Sequence, residues 1–406
     1  MTIGVGGQTQ AQALASLHDM TAGVQPIALD EYRQRIARAQ QRMQALGIDA
    51  MYLHAGTSLT YFTGLQWRPS ERLVGAILPS RGEVQFIAPW FELGTIRDFM
   101  LLDGPVHTWH EDESPYQLLA ELLHGLLPAQ AASVLALDES TPYFVVSGLQ
   151  QHCRQLSLLD ARVITAWCRM HKSAAELALM QRAKQMTLAV QQAVASTLYA
   201  GITTTEVQAF IQQAHRQVGA SGSTFCIVLF GEATAYPHGV RHAQTLKDGD
   251  MVLIDTGCAL HGYLSDITRS YVFGTPSARQ RQVWNAEKAA QAAAFAAAQI
   301  GTACGAVDRA ARRQLEADGF GPGYALPGLP HRTGHGIGLD IHEWPYLVSS
   351  DQTPLAAGMC FSNEPMICVP GEFGVRLEDH FYMTDAGPCW FTQPSHSIDD
   401  PFGLGG

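Results

Sequence analysis

Apolar and polar positions in residues 1–165 alternate between a helical and a strand-like pattern. From Asp30, apolar residues recur at helical spacing up to Gly47, which predicts a helix capped by an aspartate and ended by a glycine. Short apolar runs and further helical stretches follow, and the β-branched segment 161–167 is predicted to be the last strand. This alternation predicts a small α/β domain over residues 1–165.

A second pattern begins near residue 170. Ser173 and Thr203 are each followed three positions later by a glutamate, so each is predicted to start a helix with a capping box. Further strands are predicted over 224–231, 250–260, 263–274, 358–369 and 374–384, and further helices over about 277–300 and 304–318. Residues 166–406 are therefore predicted to form an α+β domain around a curved, mostly antiparallel sheet, which gives the chain two domains.

Composition narrows the class of protein. The 406 residues are 47% hydrophobic and carry a net charge of −11 with no run of Lys or Arg, which argues against nucleic acid as the main partner. The eight cysteines lie far apart and include no CxxC pair, as expected of reduced thiols. The first twenty residues do not have the pattern of a signal peptide, and the longest Ala-rich stretch is too short to span a bilayer. We therefore expect a cytoplasmic protein without a membrane partner.

Two aspartates 11 residues apart are candidate metal ligands. Asp255 ends an apolar run, Asp266 is predicted to lie inside the next strand, and Gly257 and Gly262 suit a hairpin between them. Such a hairpin would place the two carboxylates side by side, where they repel unless a cation lies between them or one is protonated. The alternative is that one or both aspartates cap turns.

Two glutamates on later strands are further candidates. Glu364 precedes Pro365, which restricts it to extended geometry, although a surface glutamate in a turn is the alternative. Arg376, Glu378 and His380 are predicted to share one face of a continuous strand. A buried Glu378 needs a partner, and either Arg376 or a metal ion could supply it.

A glycine-rich segment, 331–345, carries three histidines, His331, His335 and His342. Glycines on both sides of His335 permit tight turns and close backbone approach, so the segment is predicted to present this imidazole to a site. Four carboxylates with one imidazole balance the charge of two divalent cations and suit Mn²⁺, with Co²⁺, Zn²⁺ or Fe²⁺ as alternatives. The competing interpretation is a structural zinc site or histidines satisfied within a loop, but no cysteine pair completes a zinc tetrahedron.

The ordered motifs resemble the pita-bread metallopeptidase family, which includes methionine aminopeptidase, aminopeptidase P and Xaa-Pro dipeptidase (prolidase). The shared order is Asp, Asp 11 residues on, His in Gly-His-Gly, Glu-Pro and Arg-x-Glu-Asp. Residues 1–165 resemble the N-terminal domain of the creatinase/prolidase branch, and the whole chain is most similar to bacterial Xaa-Pro dipeptidases. The resemblance implies that the dimetal ligands are Asp255, Asp266, His335, Glu364 and Glu378.

The resemblance also implies an activity, which is hydrolysis of Xaa-Pro dipeptides by a metal-bridging hydroxide, and a homodimer. In this scheme Glu364 moves the proton and His238 or His342 stabilises the oxyanion, while His331 and Arg376 orient the substrate or the ligand carboxylates. His238 lies in a Pro-His-Gly motif that matches the family. His238, His331 and His342 would also bind substrate.

Other functions stay open on the sequence. Aminopeptidase P, which acts on longer peptides, shares these catalytic residues. A dipeptidase would differ from it by a positive group that closes the substrate groove and holds the proline carboxylate, and Arg68 or Arg332 could be that group. A small-molecule amide hydrolase or lyase on the same fold is another alternative. A catalytically inactive binding module is disfavoured because no ligand is missing.

Overall fold

The structure, a computed structural model, describes residues 1–127 and 133–405. The chain divides into two compact units, of which one comprises Met1–Pro26 with Met170–Gly406 and the other Ile27–Arg169. This division differs from the predicted domains, 1–165 and 166–406, mainly in residues 1–26. The backbone N–H groups of Thr2 and Ile3 donate to the carbonyls of Gly274 and Asp399, so the first residues belong to the larger unit.

The smaller unit is built on a mixed six-stranded sheet in the order β4-β3-β2-β1-β5-β6. The antiparallel pairs are β1/β2 and β2/β3, and the other neighbours are parallel. Its strands are β1 Ala50–His54, β2 Gly75–Pro79, β3 Gln85–Pro89, β4 Val106–Trp109, β5 Val134–Leu137 and β6 Ser157–Asp160. Its helices are α2 Leu29–Leu46, α3 Thr57–Thr63, α4 Leu93–Phe99, α5 Pro115–Leu126, α6 Tyr143–His152 and α7 Thr165–Met170, with α1 belonging to the larger unit.

Two local predictions for the smaller unit need correction. Helix α2 ends at Gly47, as predicted, but its N-cap is Ala28, and Asp30 lies in the first turn, where its charge suits the helix dipole. Segment 161–167 is not a strand, since it forms a 3-10 turn and the start of α7. The Asp160 carboxylate accepts the backbone N–H of Arg162 at 2.9 Å, and this cap starts a helical turn despite the β-branched residues that follow.

The larger unit combines five helices within the described residues with three antiparallel sheets. Its helices are α1 Gln10–Ser16, α8 Ala174–Ser196, α9 Thr204–Gln217, α10 Ala278–Ala297 and α11 Cys304–Ala317. Its strands are β7 Ser223–Phe230, β8 Met251–Leu260, β9 Tyr263–Leu264, β10 Ile267–Val272, β11 Gly334–Gly336, β12 Glu343–Leu347, β13 Cys360–Asn363, β14 Met366–Val369, β15 Phe373–Arg376, β16 Asp379–Thr384 and β17 Gly387–Trp390. The capping boxes of Ser173 and Thr203 are confirmed.

The sheets of the larger unit follow the orders β10-β8-β7, β12-β11-β13-β16-β17 and β14-β15, and β9 pairs with β8. Their apolar faces and helices α10 and α11 share one core, which includes Leu253, Trp284, Val307, Phe361 and Phe381. No helix within the described residues has both the length and the apolar character that crossing a membrane requires.

Three predicted strands of this unit are interrupted. Asp266 precedes β10 instead of lying inside a strand, and the strands predicted over 358–369 and 374–384 each break into two. The chain changes sheets at these breaks, because β13 pairs with β16 whereas β14 pairs with β15. Arg376, Glu378 and His380 therefore do not share the face of one continuous strand.

Candidate metal centre

The hairpin of β8 with β9 and β10 places two of the predicted ligands. Asp255 lies in the middle of β8, opposite Thr268 on β10, and does not end its strand. The turn at His261–Gly262 has positive φ at both residues, as a tight hairpin requires. Gly257 is needed beside it, since a Cβ there would lie 1.9 Å from the carbonyl oxygen of Ser265. This close approach brings the Asp266 carboxyl group near enough to Asp255 that, beyond the effect of burial, the charge of Asp255 raises its pKa.

His335 lies on the short strand β11 and not in a loop. Its glycine neighbours allow close packing instead of a turn, because a Cβ at Gly334 would lie 2.0 Å from the carbonyl oxygen of Ser362. Nδ1 of His335 lies 3.0 Å from the carbonyl oxygen of Gly336, so Nδ1 carries the hydrogen. Nε2 faces the carboxylates, at 3.1 Å from Glu364 Oε1 and 3.8 Å from Asp266 Oδ2.

The two glutamates occupy breaks between strands. Glu364 directly follows β13, and its Oε1 accepts the Ser362 hydroxyl at 3.1 Å. Glu378 lies between β15 and β16, and its Oε2 accepts the Thr268 hydroxyl at 2.7 Å. Pro365 has no backbone N–H, so the break between β13 and β14 leaves no hydrogen-bond donor of this residue unpaired.

The donor set fits divalent cations. Asp255, Asp266, His335 and Glu378 are buried and Glu364 is half-buried, yet one carboxylate oxygen each of Asp255, Asp266 and Glu378 has no hydrogen-bond partner. Ligand atoms of Asp266, His335 and Glu378 lie within 4.8 Å of one another. Orphaned buried oxygens that converge in this way need a cation or protons.

The pKa shifts of the buried carboxyl groups also indicate that the site suits cations. Burial, followed by the charges of Glu378, Asp255 and Glu364, raises the pKa of Asp266 well above its usual range. Burial and the charges of Glu364 and Asp255 likewise raise the pKa of Glu378. Carboxyl groups that resist ionisation together are stabilised as anions when positive charge is placed among them.

Arg376 pairs with Asp255 and not with Glu378. Its Nη2 donates to Asp255 Oδ2 at 2.6 Å, its Nε donates to the Thr268 hydroxyl at 3.1 Å, and its Nη1 donates to the Pro237 carbonyl. One guanidinium thus orients the Asp255 carboxylate directly and the Glu378 carboxylate through Thr268.

A cavity of about 470 Å³ contains all five predicted ligands. We call it the carboxylate cavity; its walls include the five ligands, His238, His342, Arg376 and the apolar side chains Phe225, Ile227, Leu264, Leu339 and Ile341. It shares five residues with a second space of about 290 Å³, which makes one continuous cleft. We call that space the histidine lobe; it is lined by Pro237, His238, Pro330, His331, Arg332, His335, His342, Glu364 and Arg376.

The histidines of this cleft differ in environment. His238 and His342 are exposed, and the His342 ring lies edge-on to that of His335 with 4.2 Å between centroids. Desolvation in the cleft and the charge of His335 lower the pKa of His342 to about 4, so it is neutral at pH 7. Burial also lowers the pKa of His331, whose Nδ1 donates to the Arg332 carbonyl at 2.7 Å. The predicted site residues thus line one cleft. Arg68, an alternative anchor, belongs to the smaller unit.

Sequence reasoning missed two hydroxyl residues, Thr268 and Ser362, that support the predicted ligands. The Thr268 hydroxyl donates to Glu378 and accepts from Arg376. The Ser362 hydroxyl donates to Glu364 and accepts the backbone N–H of His335 at 2.9 Å. His380 is fully buried, with its Nε2 4.0 Å from Glu378 Oε1. Thr268 could have been inferred only from contacts across more than 100 residues, whereas the contact of Ser362 with His335 spans 27 residues.

Comparison with known proteins places this geometry in a family. Residues 178–385 match the model of metallopeptidase family M24, and residues 35–171 match that of the creatinase/prolidase N-terminal domain. The probable dipeptidase PepE of Mycobacterium tuberculosis is 33% identical over 370 residues, which cover 90% of this chain and 96% of PepE.

Solved structures are similar over nearly their whole length. The crystal structure of dipeptidase PepE from Mycobacterium ulcerans matches with a TM-score of 0.85 and 33% identity, covering 92% of this chain and 99% of that chain. The prolidase from Thermococcus sibiricus matches with a TM-score of 0.81 and 29% identity, covering 89% and 97%. The predicted pita-bread domain with a smaller creatinase-type domain before it is therefore confirmed, as is the predicted resemblance. The chain belongs to metallopeptidase family M24.

Proposed function

We propose that the protein is an Xaa-Pro dipeptidase that works with two divalent ions, with Mn²⁺ the expected metal. The observation that carries the proposal is the convergence of five donor side chains, three of them with an unpartnered oxygen, in one cavity. The ions would be held by Asp255, Asp266, His335, Glu364 and Glu378. Divalent ions bound by such donors lower the pKa of water towards neutrality and polarise a carbonyl group.

Glu364 is the group that moves the proton. It is half-buried beside His335, and the hydrogen bond from Ser362 fixes its orientation. Burial acts to raise its pKa, but the hydrogen bond with His335 and the charges of His335, His331 and Arg376 hold the pKa well below its usual range. An ionised Glu364 can accept a proton from the attacking water and deliver it to the amide nitrogen.

The exposed histidines stabilise charge that develops on the substrate. His342 is neutral at pH 7 and faces the ligand set, so a ring N–H can donate to the carbonyl oxygen as it becomes negative. His238 also lines both parts of the cleft and can donate to the same oxygen. His331 and Arg376 fix the positions of neighbouring groups.

The shape of the cleft suits a proline-containing dipeptide. An Xaa-Pro bond has no N–H, so an enzyme must hold the ring and the carbonyl group instead of the amide hydrogen. The histidine lobe offers proline and histidine walls for the ring, and Phe225, Ile227, Leu264, Leu339 and Ile341 offer an apolar wall for the first side chain. The likeness to a prolidase at 29% identity supports this substrate class.

The experiment compares Ala-Pro, Ala-Pro-Ala and Ala-Ala as substrates of protein that has been chelated and then reloaded with Mn²⁺. We expect Ala-Pro to be hydrolysed with the highest kcat/KM, and chelated protein to be inactive. Preference for Ala-Pro-Ala would indicate an aminopeptidase P, and faster cleavage of Ala-Ala would remove the proline specificity. Failure to cleave any of the three would contradict the proposed function.

A further inference from the structure

Two buried glutamines of the larger unit each bind two backbone segments that carry predicted ligands. Gln191 lies on α8 and Gln291 lies on α10, and both residues are almost fully buried. A buried amide is costly unless its N–H groups are paired, so the partners of these side chains are fixed features of the fold. Neither glutamine lines the carboxylate cavity or the histidine lobe, so neither is placed to touch a substrate.

Gln191 joins the two segments that carry the aspartates. Its Nε2 donates to the carbonyl oxygens of Ile254 at 3.0 Å and Ile267 at 2.9 Å. Ile254 directly precedes Asp255, and Ile267 directly follows Asp266. One amide group therefore fixes the spacing of the two backbone segments from which these carboxylates project.

Gln291 joins the two segments that carry the glutamates in the same way. Its Nε2 donates to the carbonyl oxygens of Leu377 at 3.0 Å and Asn363 at 3.4 Å. Leu377 directly precedes Glu378, and Asn363 directly precedes Glu364. The arrangement of one helix glutamine between two ligand-bearing segments thus occurs twice in the larger unit.

Further hydrogen bonds join α10 to the segments that carry the glutamates. The Asn363 side chain donates to the Gln291 backbone carbonyl at 2.9 Å, and the Leu377 backbone N–H donates to Glu287 Oε1 at 3.3 Å. The Gln291 amide also donates to the Asp379 carboxylate, at the start of β16, at 3.2 Å. Helix α10 therefore holds both of the strand breaks at which the predicted glutamate ligands lie.

We propose that Gln191 and Gln291 are positioning residues that set the spacing of the carboxylate ligands and thereby the affinity for the two divalent ions. This inference rests on the metal binding in the proposed function. Metal ligands must be held within about 0.5 Å of their productive positions, and loss of the groups that orient them commonly weakens metal binding about 10–100-fold. Because each glutamine binds two ligand-bearing segments, loss of one amide should disturb a pair of ligands at once.

The test replaces each glutamine by methionine, which has a similar length but no N–H donor. The matched control is Gln280→Met, because Gln280 is also buried on α10 and its Nε2 donates to the carbonyl of Gly249, which is not next to a predicted ligand. Calorimetry measures Mn²⁺ binding to chelated protein, and electron paramagnetic resonance reports the magnetic coupling between the bound ions. Circular dichroism and thermal unfolding measure fold and stability.

For the unmodified protein we expect about two Mn²⁺ per chain and the spectrum of coupled ions, as for other two-metal sites. Gln191→Met and Gln291→Met should each weaken Mn²⁺ binding about 10-fold or more and change the coupling at saturating metal. Gln280→Met should lose stability but keep the affinity and the spectrum of the unmodified protein.

Unchanged affinity and coupling in a folded Gln191→Met or Gln291→Met protein would overturn the assignment of that glutamine, as would equal changes in Gln280→Met. Where methionine prevents folding, Gln191→Asn or Gln291→Asn keeps the amide but shortens its reach, and a smaller loss of affinity is expected. If asparagine also prevents folding, the glutamine serves the fold and the assignment fails.

The proposed function fails separately from this inference. Unmodified protein that binds two coupled ions but hydrolyses no Ala-Pro would contradict the proposed function and leave the role of the glutamines intact. Unmodified protein that binds no metal would contradict both.

Discussion

At the scale of single residues, predicted ligands such as His335 and Glu378 use one side-chain atom for a hydrogen bond within the protein and keep another atom available for a metal ion. His335 donates through Nδ1 to Gly336, and Glu378 accepts from Thr268 through Oε2. Their remaining ligand atoms, Nε2 and Oε1, therefore face the same space. Supporting hydrogen bonds of this kind fix the orientation of metal ligands and the tautomer of a histidine.

Glu364→Gln is expected to keep the fold and to lower kcat for Ala-Pro at least about 100-fold, because an amide cannot accept the proton that general base catalysis requires. Steady-state kinetics measure the loss, and circular dichroism checks the fold. Glu372→Gln, an exposed glutamate that pairs with Arg279, is the control and should stay within about twofold of the unmodified enzyme. Near-normal turnover by Glu364→Gln would remove this residue from its role.

A second residue-scale prediction concerns His215, which is fully buried between the hydroxyls of Thr187 and Ser223. Burial lowers its pKa from 6.5 to about 4, so the folded state favours the neutral ring. The stabilisation from this group is present above pH 6.5 and is lost as the pH falls towards 4.

Relative to His215→Asn, the unmodified protein should lose about 2 kcal/mol of stability between pH 7 and pH 5. Denaturant unfolding of both proteins at the two pH values measures this difference. A difference between the two proteins that does not change with pH would show that His215 does not titrate in this range.

At the scale of elements, the positions of three predicted ligands coincide with interruptions of the sheets. Asp266, Glu364 and Glu378 lie at or beside breaks, where side chains are released from strict alternation. The pattern of apolar residues predicted continuous strands here, and that prediction was wrong. A local pattern does not reveal where a chain moves from one sheet to another. The capping boxes that begin α8 and α9 were predictable, since each signal lies within four residues.

The segment that carries His331 and Arg332 gives an element-scale prediction. Asp308 on α11 pairs with Arg312 at 3.0 Å, and both are buried. Asp308→Asn leaves the Arg312 charge uncompensated and weakens the hydrogen bonds that Asp308 accepts from Thr333, so we expect a loss of about 3 kcal/mol in stability and a higher KM for Ala-Pro.

Thermal unfolding and steady-state kinetics measure the two effects of Asp308→Asn. Asp318→Asn, an exposed change of equal charge at the C-cap of the same helix, is the control and should change neither quantity appreciably. A KM unaffected by Asp308→Asn would show that this anchor does not hold the segment in place.

At the scale of the whole molecule, the sequence predicted the family, which the comparisons confirm, whereas the compact units of the structure differ from the predicted domains mainly in residues 1–26. Five motifs in a fixed order over about 120 residues carry chemistry that can be recognised one by one. The assignment of residues 1–26 to the larger unit depends on backbone contacts such as that of Thr2 with Gly274, which no local pattern contains.

The central claim is that Asp255, Asp266, His335, Glu364 and Glu378 together hold two divalent ions that activity requires. It is tested most directly by elemental analysis of the same samples in which Ala-Pro hydrolysis is measured, after chelation and after reloading with Mn²⁺. The account predicts about two ions per chain in active samples and loss of turnover in step with loss of metal. Full turnover by a sample that contains no metal would contradict it.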